Sequence, residues 1–261
     1  MSGWRLIRDA PGEGAWNMAV DEAIARAVGR ATAPPTLRLY RWRHPTVSLG
    51  YGQRWEGALD RDACRRRGVG IVRRPTGGRA VLHAAEITYS ASVPVRGLWG
   101  GLTVEESFVR LCTALMAAFR RLGIETALGP TGAAALRGRS AACFDLAGLP
   151  AILASGRKLV GSAQRRWESC LLQHGSILLH FDADLHRSIF PGWSDAASGR
   201  ITCLGELAPA CGTPAIEAAL LAGWADALGP GRAGSLAADE LTEAHQLVRE
   251  RYGNPDWTFR R

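Results

Sequence analysis

Apolar positions in this chain recur with two periods. From Glu13 to Val28, Ala15, Ala19, Ala23, Ile24 and Ala27 fall at helical spacing, which predicts an amphipathic helix stopped by Gly29. Asn17, Asp21 and Glu22 lie off that stripe and read as its solvated face. Period two takes over at Leu37/Leu39 and Val47/Leu49, split by His44-Pro45, and predicts two strands in a hairpin or near-hairpin. Val69 to Val72 and Ala80 to Leu82 read as strands joined by a tight turn at Thr76-Gly77-Gly78, and the alternation of Ile87, Tyr89, Ala91 and Val93 reads as a third.

Helical and extended segments then interleave. Glu56 to Arg67 predicts a short helix ending at Gly68. Thr103 with Glu106 three residues on has the spacing of a capping box, ahead of a stripe of Phe108, Leu111, Leu115, Phe119 and Leu122. Residues 125–142 are rich in Gly, Ala, Thr and Arg without a period, so a flexible loop or lid is expected there. Ala151 to Leu153 and Lys158 to Ala163 predict strands about a turn at Ser155-Gly156, and Cys170 to Leu179 predicts another strand pair. Beyond Asp182 the pattern turns helical, with Thr213-Pro214 as N-cap and first-turn proline and a last helix from Thr242 to Tyr252.

Composition narrows the class. With 261 residues, 47% of them hydrophobic, one globular domain is expected. There is no long apolar run and no apolar stretch near Met1, so a cytoplasmic chain without a membrane span is expected. Six cysteines (Cys64, Cys112, Cys143, Cys170, Cys203 and Cys211) form no C-x-x-C pair, which speaks against zinc and disulfides. A net charge of +8 favours an acidic partner: nucleic acid, an acidic carrier protein or an anionic surface.

The chemistry concentrates between Arg73 and Ser90. Without Cβ atoms, Gly77 and Gly78 allow close approach of a ligand to backbone N–H groups, and Arg73, Arg74, Arg79 and His83 lie within a few positions of them. This outlines a site for an anion or an acyl oxygen. A plain β-hairpin with solvated arginines has the same outline.

The run from Arg73 through Thr76-Gly77-Gly78-Arg79 to His83, followed by Thr88-Tyr89-Ser90, resembles the signature of the lipoate-protein ligase A and octanoyltransferase family. Four further segments extend the resemblance: Asn17 to Glu22, Pro45 to Tyr51, Gly156 to Gln164 (with Lys158, Gly161, Ser162 and Ala163) and Gln173 to Leu179 (with His174 and Gly175). It implies an α+β fold, a mixed β-sheet flanked by helices like the class II synthetase-like catalytic domain of biotin and lipoate ligases. It also implies substrate contacts at the residues just named, an acyl-accepting Cys143 and an assisting Lys158. Arg79, where the ATP-using ligases have Gly, points to the octanoyl-transferring branch, closest to the type drawing on a glycine cleavage carrier protein. The implied chemistry is ping-pong transfer from an acyl carrier protein or glycine cleavage carrier protein, with no cofactor, to a lysine of a lipoyl domain or glycine cleavage carrier.

Two alternatives stay open. One is an ATP- and Mg²⁺-dependent lipoate ligase that holds an acyl-adenylate. The other is a nucleic-acid-binding protein, suggested by charge and nine tryptophans. The chain departs from the family pattern at Ala84, where Asp is usual, and at Ala147-Gly148 and Pro150-Ala151.

Overall fold

The computed structural model describes residues 3–129 and 151–260. Its strands are β1 (Trp4–Arg8), β2 (Thr36–Tyr40), β3 (Thr46–Leu49), β4 (Gly70–Arg73), β5 (Val81–His83), β6 (Glu86–Pro94), β7 (Ala127–Leu128), β8 (Ala151–Ala154), β9 (Arg157–Arg166), β10 (Cys170–Leu178) and β11 (Gly231–Ala233). The helices are α1 (Gly14–Gly29), α2 (Arg61–Arg66), α3 (Val104–Arg121), α4 (Ala183–Ile189), α5 (Asp195–Ser198), α6 (Leu204–Leu207), α7 (Thr213–Leu228), α8 (Ala238–Leu247) and α9 (Pro255–Thr258). A π-turn, Val248–Tyr252, follows α8.

The expected mixture of sheet and helix is present, in two sheets. The larger runs β11-β1-β2-β6-β10-β9-β8-β7 and the smaller β4-β3-β5. β1 is parallel to β11 and to β2, whereas β6, β10, β9 and β8 continue antiparallel. Along β6, Ile87, Tyr89, Ala91 and Val93 enter one core with Leu37 and Leu39 of β2, Leu111, Leu115 and Phe119 of α3, and Leu220 and Trp224 of α7. The opposite face of the same strands is covered by α1, whose Met18 shares a second core with Tyr40, and by the small sheet.

The two expected hairpins are not formed. β2 lies inside the large sheet and β3 inside the small one, and β3 separates β4 from β5, parallel to the first and antiparallel to the second. Alternation specifies a strand and its faces but not its partner. The Gly77-Gly78 connection therefore crosses the end of β3, tied there by Arg74 N–H to Leu49 O (3.0 Å) and Tyr51 N–H to Thr76 O (2.8 Å). A Cβ on Gly50 would come within 1.9 Å of Gly78 O, and Gly78 has φ +92°, so glycine is needed at both.

Smaller corrections follow the same logic. α1 ends at Gly29 as expected, but the positive φ falls at Ala31, and the missing side chain of Gly29 admits Ser169 and Cys170. The strand pair expected at Cys170 to Leu179 is instead the one continuous strand β10. Gly212, rather than Thr213, is the N-cap of α7, and the last long helix begins at Ala238. The capping box of Thr103 and Glu106 on α3 is formed. Most of the loop expected at 125–142 lies outside the described residues.

Candidate active site

Asn17, Asp21 and Glu22 are almost completely buried, contrary to the solvated face expected of them. Glu22 is held by Arg26, Arg251 and Tyr252. Asp21 reaches between the sheets. It accepts from Arg38 Nη1 (2.8 Å), the Tyr40 hydroxyl (2.9 Å) and His174 Nδ1 (3.0 Å). On the other side of that ring, His174 Nε2 lies 2.7 Å from Thr76 Oγ1.

A second chain of the same composition runs beside it. Glu86 Oε1 lies 2.8 Å from His83 Nδ1, and His83 Nε2 lies 2.8 Å from Ser48 Oγ. Glu86 also accepts from Thr88 and Ser176 (2.5 Å each), while the His83 ring stacks on Trp42 at 4.0 Å and 12°. Arg74 links the two chains, donating to Ser48 Oγ (3.1 Å) and to Thr76 Oγ1 (3.2 Å). A hydroxyl oxygen that accepts from a guanidinium keeps its own proton to donate. The assignment consistent with the whole network has both imidazoles protonated on Nδ1 toward a carboxylate and accepting on Nε2.

Burial alone would raise both carboxyls. The hydrogen bond from His174 and the charge of Arg38 outweigh it and hold Asp21 below its ordinary value; His83, Ser176 and Thr88 do the same for Glu86. In His174 burial dominates, outweighs Asp21 and lowers the imidazole.

Both imidazoles line one pocket between the two sheets. Met18, Tyr40, Trp42 and Val81 supply apolar wall, Arg74, Ser48, Thr88 and Ser176 polar wall, and Gly161, Ser162, Ala163 and Gly175 the edge formed by β9 and β10. Of the residues singled out in the sequence, Arg74, His83, Gly161, Ser162, Ala163, His174 and Gly175 are thus brought together, and Thr76 touches the wall through His174.

Arg73 is placed elsewhere. Its guanidinium is fully buried and braces the carbonyls of Gly50, Gln53, Trp257 and Thr258, so main-chain oxygens satisfy its charge. Gly77, Gly78 and Arg79 are not among the lining residues; Gly77 O and Arg79 O each accept from Arg74 Nη2 at 2.7 Å.

Lys158 is buried. The pairing of β8 with β9 slips by one residue at Leu159, so Leu159 and Val160 both enter the core and Lys158 returns to the face of Gly161 and Ala163. Cys143 lies outside the described residues. The other five cysteines are free; burial pushes Cys112 up to about 12 and Cys64 up to about 11.

Sequence reasoning missed Asp21, Glu86, Ser48 and Ser176 as site residues. The available signal was i, i+4 spacing of Asn17 and Asp21 on a helix that is otherwise small and apolar.

A layered α+β domain with a buried pocket between its two sheets is the architecture of lipoate ligases. The structure superposes on a putative lipoate protein ligase from T. acidophilum with bound lipoic acid (TM-score 0.82, 24% identity, all of both chains). It also superposes on a lipoate-protein ligase A bound with ATP (TM-score 0.83, 24% identity, 99% of both). Residues 13–207 match the model of the lipoyl protein ligase A/B catalytic domain, and the chain belongs to that family. Among curated relatives it is 40% identical to Octanoyltransferase LipM of Kyrpidia tusciae over all of both chains. It is likewise 40% identical to Octanoyltransferase LipM of Symbiobacterium thermophilum, over 99% of this chain and 98% of that one.

Proposed function

We propose that this chain is an octanoyltransferase of protein lipoylation, moving an octanoyl group from a carrier-bound thioester through Cys143 to a lysine amine of a lipoyl-carrier domain. The observation that carries the reading is the identity along the whole chain to relatives named octanoyltransferases. The likeness to lipoate ligases, at 24% identity, speaks for the fold alone. The pocket suits the task, because an apolar wall beside convergent polar groups is what an acyl chain with a reactive end requires.

In the first step the Cys143 thiolate attacks the thioester carbonyl and the carrier thiolate leaves; in the second the lysine amine displaces Cys143 and loses a proton. In this reading the role of Lys158 is to favour the thiolate of Cys143 and the developing oxyanion. His83, whose Nε2 accepts from the Ser48 hydroxyl on the pocket wall, is the base that can take the amine proton by way of that hydroxyl.

The test is the intact mass of the protein after incubation with an octanoyl-thioester carrier and no ATP. A hydroxylamine-labile octanoyl adduct is expected, lost in Cys143→Ser and kept in Cys112→Ser and Cys170→Ser, whose thiols burial holds protonated. Full activity in Cys143→Ala overturns the cysteine mechanism. Transfer from free octanoate that requires ATP and Mg²⁺ would move the chain to the ligase reading.

A further inference from the structure

β9 continues past the pocket edge at Ala163 to Arg165, two residues on and on the same face of the strand. There two guanidiniums lie over the ring of Tyr51, Arg165 Cζ 4.4 Å and Arg260 Cζ 4.2 Å from its centre. Each guanidinium also meets a second ring. Arg165 also covers Trp167 at 4.7 Å, and Arg260 covers Trp257 at 3.7 Å. Each arginine is anchored through one nitrogen to the main chain: Arg165 Nη1 to Pro75 O and Arg260 Nη2 to Tyr51 O, at 2.8 Å each.

Next in the row, Arg251 is neutralised by Glu22 at 2.7 Å. Arg165 and Arg260 have no such carboxylate among the described residues, and Arg260 Nε is buried without an acceptor. Two cations held this close by aromatic rings repel each other until an anion joins them. Their pull is felt at the phenol: hydrogen bonding from Arg260, ahead of the charges of Arg165 and Arg260, lowers the Tyr51 hydroxyl.

Two planar forks with spare donors match the oxygens of a phosphate. Lys158 and Arg165 are about 20 Å apart along the strand, the reach of an extended arm of about sixteen bonds. We propose that Arg165 and Arg260, both held against the ring of Tyr51, form a binding site for the phosphodiester that joins a thioester donor's arm to its carrier. The proposal rests on the acyl-transfer reading for the identity of the donor. It also separates two donors: a thioester arm linked through phosphate uses this site, whereas an octanoyl group held as an amide on a carrier lysine has nothing to place in it.

The experiment compares 4′-phosphopantetheine with pantetheine, binding each to the full chain by tryptophan fluorescence, and then their octanoyl thioesters as donors. The phosphorylated arm is expected to bind at least about tenfold more tightly, and Arg165→Gln and Arg260→Gln each to remove most of that advantage while leaving pantetheine unchanged. Arg260 lies outside both sheets, so its variant reports even where loss of the Arg165–Pro75 tie perturbs the loop. Equal or undetectable binding of the two arms, or an advantage that survives both substitutions, overturns the site. If the phosphate advantage is present and neither thioester acylates the enzyme, the site stands and the transfer reading falls. If both thioesters acylate it with the same KM, the transfer reading stands and the site falls.

Discussion

On one face of β6 and β10, Ile87, Tyr89, Ala91, Val93, Leu171 and Ile177 meet the apolar stripe of α3 and the side of α7. On the other, Thr88, His174 and Ser176 are buried as deeply, but they meet Asp21, Glu86 and each other's hydrogen bonds. The first face is held mainly by non-directional burial, with a polar insertion where Gln173 donates to the Tyr89 hydroxyl and that hydroxyl to Ser162. The second is held by directional contacts in which each donor has a named acceptor, so removing one group strands its partner. The pocket opens on the second face. Its chemistry is therefore built from the groups the protein can least easily exchange.

The largest expected effect belongs to Lys158, the buried cation that the bulge returns to the polar face. Lys158→Ala should lower acylation of Cys143 by about two to three decades, as loss of a comparable electrostatic donor does elsewhere, with the circular dichroism spectrum unchanged. Lys158→Arg keeps the charge without the compact ammonium and should rescue only in part. The pH dependence of iodoacetamide alkylation at Cys143 reads the cause. A midpoint shared by all three proteins would detach Lys158 from the thiol.

Next comes Asp21→Asn, which keeps volume and removes only charge. Arg38 would be left with Asp9, 2.6 Å away and partly exposed, and His174 with a neutral amide. A loss of about 3 kcal/mol is expected from the urea midpoint, the low end for breaking a buried ion pair because Asp9 remains. A loss below about 1 kcal/mol would mean that the polar face is no more directional than the apolar one.

How much of this was legible in the sequence follows the same division. The apolar face could be read directly, because alternation on β6 and the stripe of α3 are consequences of burial on one side. The polar face could not. Thr88, Ser90, His174 and Asp21 look like surface residues, since a polar side chain carries no mark of whether its partner is water or a carboxylate far along the chain. Local pattern also does not choose strand partners, which is why β3 was not foreseen between β4 and β5. The resemblance in Asn17 to Glu22 named the right segment, and only the fold showed that it faces inward.

Acid should distinguish the faces more gently. The folded-state value of His174 lies below that of the free imidazole, so the unfolded chain binds the proton first as pH falls through the ordinary value of 6.5. Stability then declines below that point by at most about 1.4 kcal/mol per pH unit for that one proton. Asp21 and Glu86 are depressed and ionised, so their contribution is complete above the ordinary carboxylate range and is lost only as pH drops below it. Urea midpoints between pH 7 and 5 should fall in the wild type and fall less in His174→Gln. Parallel slopes for the two proteins would remove His174 as the source.

The smallest effect is expected from Leu115→Met, the counterpart of Asp21→Asn on the apolar face. Leu115 is buried in the core between α3 and the sheet, and methionine has a similar volume with a flexible end that adapts to the space. No hydrogen bond is broken and no charge is stranded, so the loss should stay under about 1.5 kcal/mol, with acyl transfer unchanged. The value of the substitution lies in the ratio. If Leu115→Met costs as much as Asp21→Asn, the apolar face is as exacting as the polar one, and the division of labour between the two sides of the sheet fails.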